Sequence, residues 1–190
     1  MIPPVLCALL ISGAAAAAPA EARDRPSIEA FEAERAEGRV AVSWTVAVGL
    51  TDDALERIHS GIPVTLRHRV ELVVRRAVPL WRARILSRAV IEVTARFDAL
   101  TRQYDLERRT RFDDSPDGPT SSLDVHRTDS EAEMLAWMTR VEHLPRLTVP
   151  DDVPPGRLRV RVESWLGRRY VWYMLPWSIT ASAESRVGPE

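Results

Sequence analysis

The sequence predicts a mainly β domain, an antiparallel β-sandwich of about seven or eight strands with one short and one longer α-helix. Two runs and their punctuation carry this reading. From Val40 to Leu50, the residues Val40, Val42, Trp44, Val46, Val48 and Leu50 alternate with Ala41, Ser43, Thr45, Ala47 and Gly49. A period of two puts one large apolar face on a pleated strand. Between Ile62 and Arg75 the alternation returns, with Ile62, Val64, Leu66, Val70, Leu72 and Val74 on one side and Thr65, Arg67, Arg69, Glu71 and Arg75 on the other. Between the runs, Thr51-Asp52-Asp53 opens a helical turn and Ser60-Gly61 closes it.

Met1 to Ala22 has the form of an export signal: an apolar core from Val5 to Ile11, an alanine run, and an A-x-A-like site at Ala18-Pro19-Ala20. It lacks a basic start, and the alternative is an Ala-rich disordered tail. The expected organisation is a signal peptide over 1–22, one β-rich domain over 23–187 and a tail over 188–190. The segment is too short to be a membrane span. Once it is removed, the mature chain is expected to have no transmembrane span, to be soluble and to reside in the periplasm or elsewhere outside the cytoplasm.

Ser27 to Glu37 is ambiguous: its Ala and Glu content favours helix, whereas Glu37-Gly38 before the strong strand suits a hairpin turn. Ala77 to Trp81 is a connection broken by Pro79. Ile91, Val93, Ala95 and Phe97 alternate with Glu92, Thr94, Arg96 and Asp98, and after a tight turn or bulge Leu100, Arg102, Tyr104 and Leu106 continue as another strand. Asp113 to His126 is polar, with Pro116, Gly118 and Pro119, and reads as a loop. Asp129 to Val141 is the longest helix candidate, capped by Thr128 or Asp129, with Met134, Leu135, Met138 and Val141 as its apolar stripe. Pro145 to Pro155 reads as an extended crossing segment. Leu158, Val160 and Val162 begin a strand, Trp165 to Arg169 reads as a hairpin tip around Gly167, Tyr170 to Leu175 is an aromatic strand, and Trp177 to Ala183 is the last one.

With 190 residues, the chain is long enough for one self-sufficient core. Its 26 basic residues, all Arg, meet 27 acidic ones for a net charge of −1. That balance argues against nucleic acid as a partner. The one cysteine, Cys7, falls in the export segment, so neither an internal disulfide nor a thiol nucleophile is expected.

GRVAVSW, GLTDDALERIHSGIPVTLRHRVEL, DALTRQYDLE, SEAEMLAWM and the late RLRVRVE and LPWSIT blocks resemble, in that order, the bacterial envelope family called domain of unknown function 4390. The likeness spans Ile28 to Ser185. It implies an exported β-rich domain with a first hairpin, which makes Ile28 to Arg35 a strand. It implies no activity, cofactor or site residue. It points to partners in the envelope, such as the ectodomain of a membrane sensor kinase.

No catalytic constellation emerges, and no cofactor is implied. His59, His68, His126 and His143 lack the spacing of a metal or nucleophile motif, and His68 falls on the apolar face of its strand. Asp113, Ser115, Asp117, Gly118 and Asp124 occupy positions 1, 3, 5, 6 and 12 of a calcium loop, but Asp replaces the bidentate Glu and no helix pair flanks it. A solvated acidic turn is the alternative, and no metal site is expected. Arg67 and Arg69 share an outward face, as do Arg159 and Arg161; with Glu71 and Glu163 nearby, cross-strand ion pairs outweigh a basic docking strip. Trp165, Tyr170, Trp172, Tyr173 and Trp177 form either core or an aromatic docking surface.

The expected function is therefore a non-enzymatic interaction or accessory domain of the cell envelope, its binding residues unassigned. The alternatives are a carrier of a small or lipidic ligand lined by Trp44, Leu66 and Trp172 and, ranked below it, a calcium-binding module through the Asp113–Asp124 loop. A hydrolase would require the His and Asp residues to converge.

Overall fold

The structure is a computed structural model, and it describes residues 27–36, 38–47, 50–75, 83–113, 120–150, 153–171 and 175–188. The export segment 1–22 and the connection at Ala77 to Trp81 lie outside the described residues. Among the described residues nine strands and two α-helices follow in the order β1 (Ser27–Ala36), β2 (Arg39–Ala47), α1 (Asp52–His59), β3 (Val64–Val74), β4 (Arg84–Asp98), β5 (Gln103–Phe112), β6 (Thr120–Thr128), α2 (Glu131–Thr139), β7 (Arg140–Thr148), β8 (Leu158–Val171) and β9 (Leu175–Arg186). They form two antiparallel sheets, one of three strands in the order β1-β2-β7 and one of six in the order β6-β5-β4-β3-β8-β9. The fold is mainly β with two helices, as the alternation predicts.

The core lies where the inner faces of the two sheets meet. Val40, Val42, Trp44 and Val46 of β2 face Leu66, Val70 and Leu72 of β3, Ile91 and Val93 of β4, and Val160 and Val162 of β8. Each buried Val, Leu or Ile removes enough apolar surface from water to stabilise the fold by about 1.5–3 kcal/mol. Glu-rich β1 is a strand because Ala33 to Ala36 pair with Arg39 to Val42 across the Gly38 turn, and Gly38 takes a φ of +70°. Tertiary pairing overrides helix propensity there.

Helix α1 is bounded as its residues require. The Thr51 hydroxyl accepts from Ala54 N, Asp52 and Asp53 occupy the first turn, and Ile58 is buried. At its end Ile62 N donates to Arg57 O and Gly61 N to Ile58 O. This paired closure needs a left-handed residue, and Gly61 supplies it at φ +78°.

Five sequence readings need correction. The polar stretch read as loop to His126 is strand from Thr120, pairing with β5 from Phe112↔Thr120 to Tyr104↔Thr128. Helix α2 is capped by Ser130, not Thr128 or Asp129, and stops at Thr139, so Val141 is buried as part of β7. The extended segment begins with that strand, β7, which pairs with β2. Gly167 is not a hairpin tip: it pairs with Ile179 past a bulge, and β8 continues to Val171. An extra residue absorbed in a bulge lets a strand pass through a glycine. Leu100 sits in the β4–β5 turn instead of in a strand.

Candidate functional site

Helix α2 gathers most of the polar chemistry. Ser130 caps it by accepting from Glu133 N at 3.3 Å. In a simple capping box Glu133 would reach back to Ser130 N. Here Thr128 stands between: Ser130 N donates to Thr128 Oγ1 at 3.1 Å, and Thr128 Oγ1 donates to Glu133 Oε2 at 2.5 Å. The other Glu133 oxygen lies 2.8 Å from His126 Nε2. The Thr128 bond first, then His126, hold the Glu133 carboxyl below the usual carboxylate range.

Glu131, in the same turn, lies 3.0 Å from His59 Nε2, which is 3.1 Å from the Tyr104 hydroxyl. Burial, reinforced by the Glu131 charge, pushes the Tyr104 phenol up, so it stays protonated near neutral pH. The first turn of α2 thus ties α1 through His59 and β6 through His126. The far end is tied by Arg108 of β5, which donates to Trp137 O at 2.6 Å and Arg140 O at 3.1 Å. Its guanidinium lies 4.2 Å from the Trp137 ring centroid, and His126 stacks on that ring too. The last turn of α2 has no basic residue of its own; Arg108 supplies the charge that favours a helix C-terminus.

The third histidine is in the core. His68 and Ser164 are opposed across β3 and β8, both fully buried, with Nδ1 2.8 Å from Oγ. Burial pushes the ring down to about 4; the nearby Met138 carbonyl opposes this and the Arg108 charge adds to it. That carbonyl does not complete a hydrogen bond, and His68 Nε2 and the Trp44 Nε1 beside it have no protein partner. The two rings meet edge-on at 5.8 Å. Trp44 and Leu66 are packed in the core.

Among the described side chains, His59, His68 and His126 therefore do not converge with Asp residues. His59 and His126 pair with glutamates, His68 with a serine, and the His143 side chain lies outside the described residues. Among the described residues no three His, Cys, Asp or Glu side chains are placed to hold a metal ion. Ser115, Asp117 and Gly118 of the calcium pattern lie outside the described residues. Asp124 is opposite Arg108, four residues past Thr120, which places it roughly 13 Å along the strand from the ladder end. That register separates it from Asp113, whose amide donates to Arg88 O.

The arginine strips are cross-strand ion pairs. Arg69 lies 3.7 Å from Glu163, Arg88 3.0 Å from Glu71, Arg67 3.9 Å from Glu92 and Arg161 3.1 Å from Glu184. Arg159 instead turns its guanidinium to the Leu158 carbonyl at 2.9 Å. Trp165 sits under Arg69 at 4.8 Å. Tyr170, Trp172, Tyr173 and Trp177 have side chains outside what the structure describes.

A feature that alternation does not flag is the edge of the larger sheet. Among the described residues only β5 pairs with β6. Every side chain from Thr120 to Val125 is exposed, including Leu123 at 58% and Val125 at 63%. No helix among the described residues is long and apolar enough to cross a membrane.

Comparison with known proteins agrees with the resemblance in the sequence. No curated protein and no solved structure gives a match. The family model described as a domain of unknown function (DUF4390) matches residues 23–170, most of the chain, and the protein belongs to that family.

Proposed function

We propose that the protein is a non-enzymatic interaction domain, exported to the bacterial cell envelope, that engages another envelope component along β6. The observation that supports this reading best is the edge itself. Leu123 and Val125 are exposed on a strand with one ladder neighbour among the described residues, and such an edge accepts an extended segment by main-chain pairing. The ionisable groups around α2 favour the same reading. His59, Tyr104, Glu131, His126 and Glu133 are engaged with one another, and a phenol pushed up is a donor, not a nucleophile. The partner class is a protein of the envelope, with a sensor-kinase ectodomain as one example.

Affinity capture from envelope extracts, with the native chain and with Val125→Arg, tests the proposal. A partner retained by the native chain and lost with the variant supports it. Recovery unaffected by the substitution overturns it.

A carrier role is the second reading, favoured by the two buried nitrogens between the sheets, Trp44 Nε1 and His68 Nε2. Mass spectrometry of organic extracts of the purified protein tests that reading; extracts identical to a blank count against it.

A further inference from the structure

The arginines of the six-stranded sheet divide into two groups. Along its outer face they are matched by carboxylates, from Arg127 and Arg96 on Asp105 to Arg161 on Glu184. At the end where β3 and β9 finish and β4 and β8 begin, the matching stops. Arg75 N donates to Arg157 O at 3.0 Å, one step past the Val74↔Leu158 pair, so two arginines stand directly across from each other. Arg186 is opposite Arg159 on the same face, and Arg84, opposite Val74, stands at the same rim on the other face. Arg75, Arg84, Arg157 and Arg186 are all exposed, and none has an ion pair among the described residues. The first carboxylates inward on the outer face, Glu71 of β3 and Glu184 of β9, are held by Arg88 and Arg161 at 3.0 and 3.1 Å.

Like charges directly opposite are destabilising, and no carboxylate of the described residues offsets these. An anion from outside would. The shape of the group decides which kind. Four adjacent strands, β4-β3-β8-β9, carry it, and the strand spacing makes a row about 14 Å long. A lone phosphate touches one or two guanidinium groups of such a row. A plane of phosphates touches all of them at once, and Arg suits phosphate in both charge and geometry. Ile85, opposite Val73 on the outer face, is 43% exposed. An aliphatic side chain beside arginines suits the boundary of a bilayer, where charge meets headgroup and the apolar part meets acyl chain. The sequence adds to this. Residues 76–82, which join Arg75 to Ala83 and lie outside the described residues, include Arg76 and Arg82 around Val78-Pro79-Leu80-Trp81, and Trp beside basic residues is the composition of a membrane interface.

We propose that the strand ends carrying Arg75, Arg84, Arg157 and Arg186 form a docking surface for a plane of anionic lipid headgroups. The surface shares no residue with β6 and is independent of any partner held there. Each cation near a charged bilayer is worth about fivefold in affinity, and salt screens it, so the attachment is reversible and salt-sensitive.

Co-flotation of the full chain with vesicles measures it, using phosphatidylcholine alone and equal parts phosphatidylcholine and phosphatidylglycerol, at low ionic strength and in high salt. The apolar run from Val5 to Ile11 meets both vesicles alike, so the difference between them reads the arginines. The native chain is expected to prefer the anionic vesicles and to lose that preference in salt. Arg84→Gln combined with Arg157→Gln, both at exposed positions that leave folding intact, should cut the preference about 25-fold. Arg102→Gln, an equal loss of charge per site in the β4–β5 turn at the opposite end of the sheet, should leave it nearly unchanged. Equal partition into both vesicles overturns the proposal, and so does a loss shared by Arg102→Gln, which is an effect of net charge. Competition at matched ionic strength separates the sources of anion. Binding abolished by inorganic phosphate or by polyglutamate overturns the lipid plane in favour of a free anion or an acidic protein.

Discussion

His68 Nδ1 lies 2.8 Å from Ser164 Oγ, and neither side chain is exposed. A polar pair in the middle of a sheet couples the core to pH. The unfolded chain binds a proton at the ordinary histidine value of 6.5, whereas the folded ring resists until about 4. Between those values the unfolded state holds more protons, so stability falls as pH falls. The His68 contribution is intact above pH 6.5, and about 3 kcal/mol of it is lost by pH 4. Urea midpoints measured from pH 7 to pH 4 should show this limb. His68→Asn, which can still bond Ser164, should flatten it.

Gly61 ends α1 at φ +78°, and a Cβ there would sit 3.4 Å from the Phe97 carbonyl oxygen. The left-handed backbone costs a non-glycine residue about 1–2 kcal/mol. Gly61→Ala is therefore expected to lower stability by about that amount in chemical denaturation. Gly156→Ala, where nothing lies near the added carbon, should fall within about 0.5 kcal/mol of the native value.

Arg108→Met keeps much of the packing on Trp137 but removes the donor to the last carbonyls of α2. Hydrogen bonds from a charged donor are worth about 1.5–3 kcal/mol, and the loss should appear as faster amide hydrogen exchange across Glu131 to Thr139. Because this cation is half-buried, 1 M salt should change its contribution little.

Ser130→Ala should cost about 1 kcal/mol as a lost helix cap. Thr128→Val severs the relay between Ser130 N and Glu133. The two share one network, so the double variant should cost less than the sum of the single ones. A double-mutant cycle by denaturation measures the coupling; strict additivity would show that the relay carries nothing.

The outer lattice of ion pairs should contribute little. Arg161 and Glu184 sit at the surface with side chains 41% and 35% exposed, and surface pairs are worth about 0–1 kcal/mol. Arg161→Gln should leave the denaturation midpoint nearly unchanged.

The sequence was legible where one face is buried and the other wet. Val40 to Ala47, the Thr51 cap, Gly61 and the alternation through β3 were all read from spacing, because burial on one side imposes a period of two. β6 was illegible for the opposite reason: exposed on both faces along most of its length, it has no alternation to display. β7 was hidden by Pro145, which a sheet tolerates at an edge, and β7 is an edge of the smaller sheet. The site followed the same division. His68 was placed correctly on an apolar face, but Ser164 is 96 residues away, and Glu131 is 72 from His59. Only the pairing of strands and the seating of α2 bring such residues together. The Ser130-x-x-Glu133 spacing was the one local signal available, and it marked the cap without revealing what else Glu133 holds.

Six strands opposite three leave a ledge, and the two short helices roof it. Tyr104 and Leu106 lie beneath that roof, not beneath the smaller sheet's full span. Melting α2 would therefore do more than unwind a few turns: it would bare a strip of greasy sheet alongside an open margin. Conditions that loosen His59 and His126 from their glutamates would favour that exposure, making the helix the natural first point of clumping under stress.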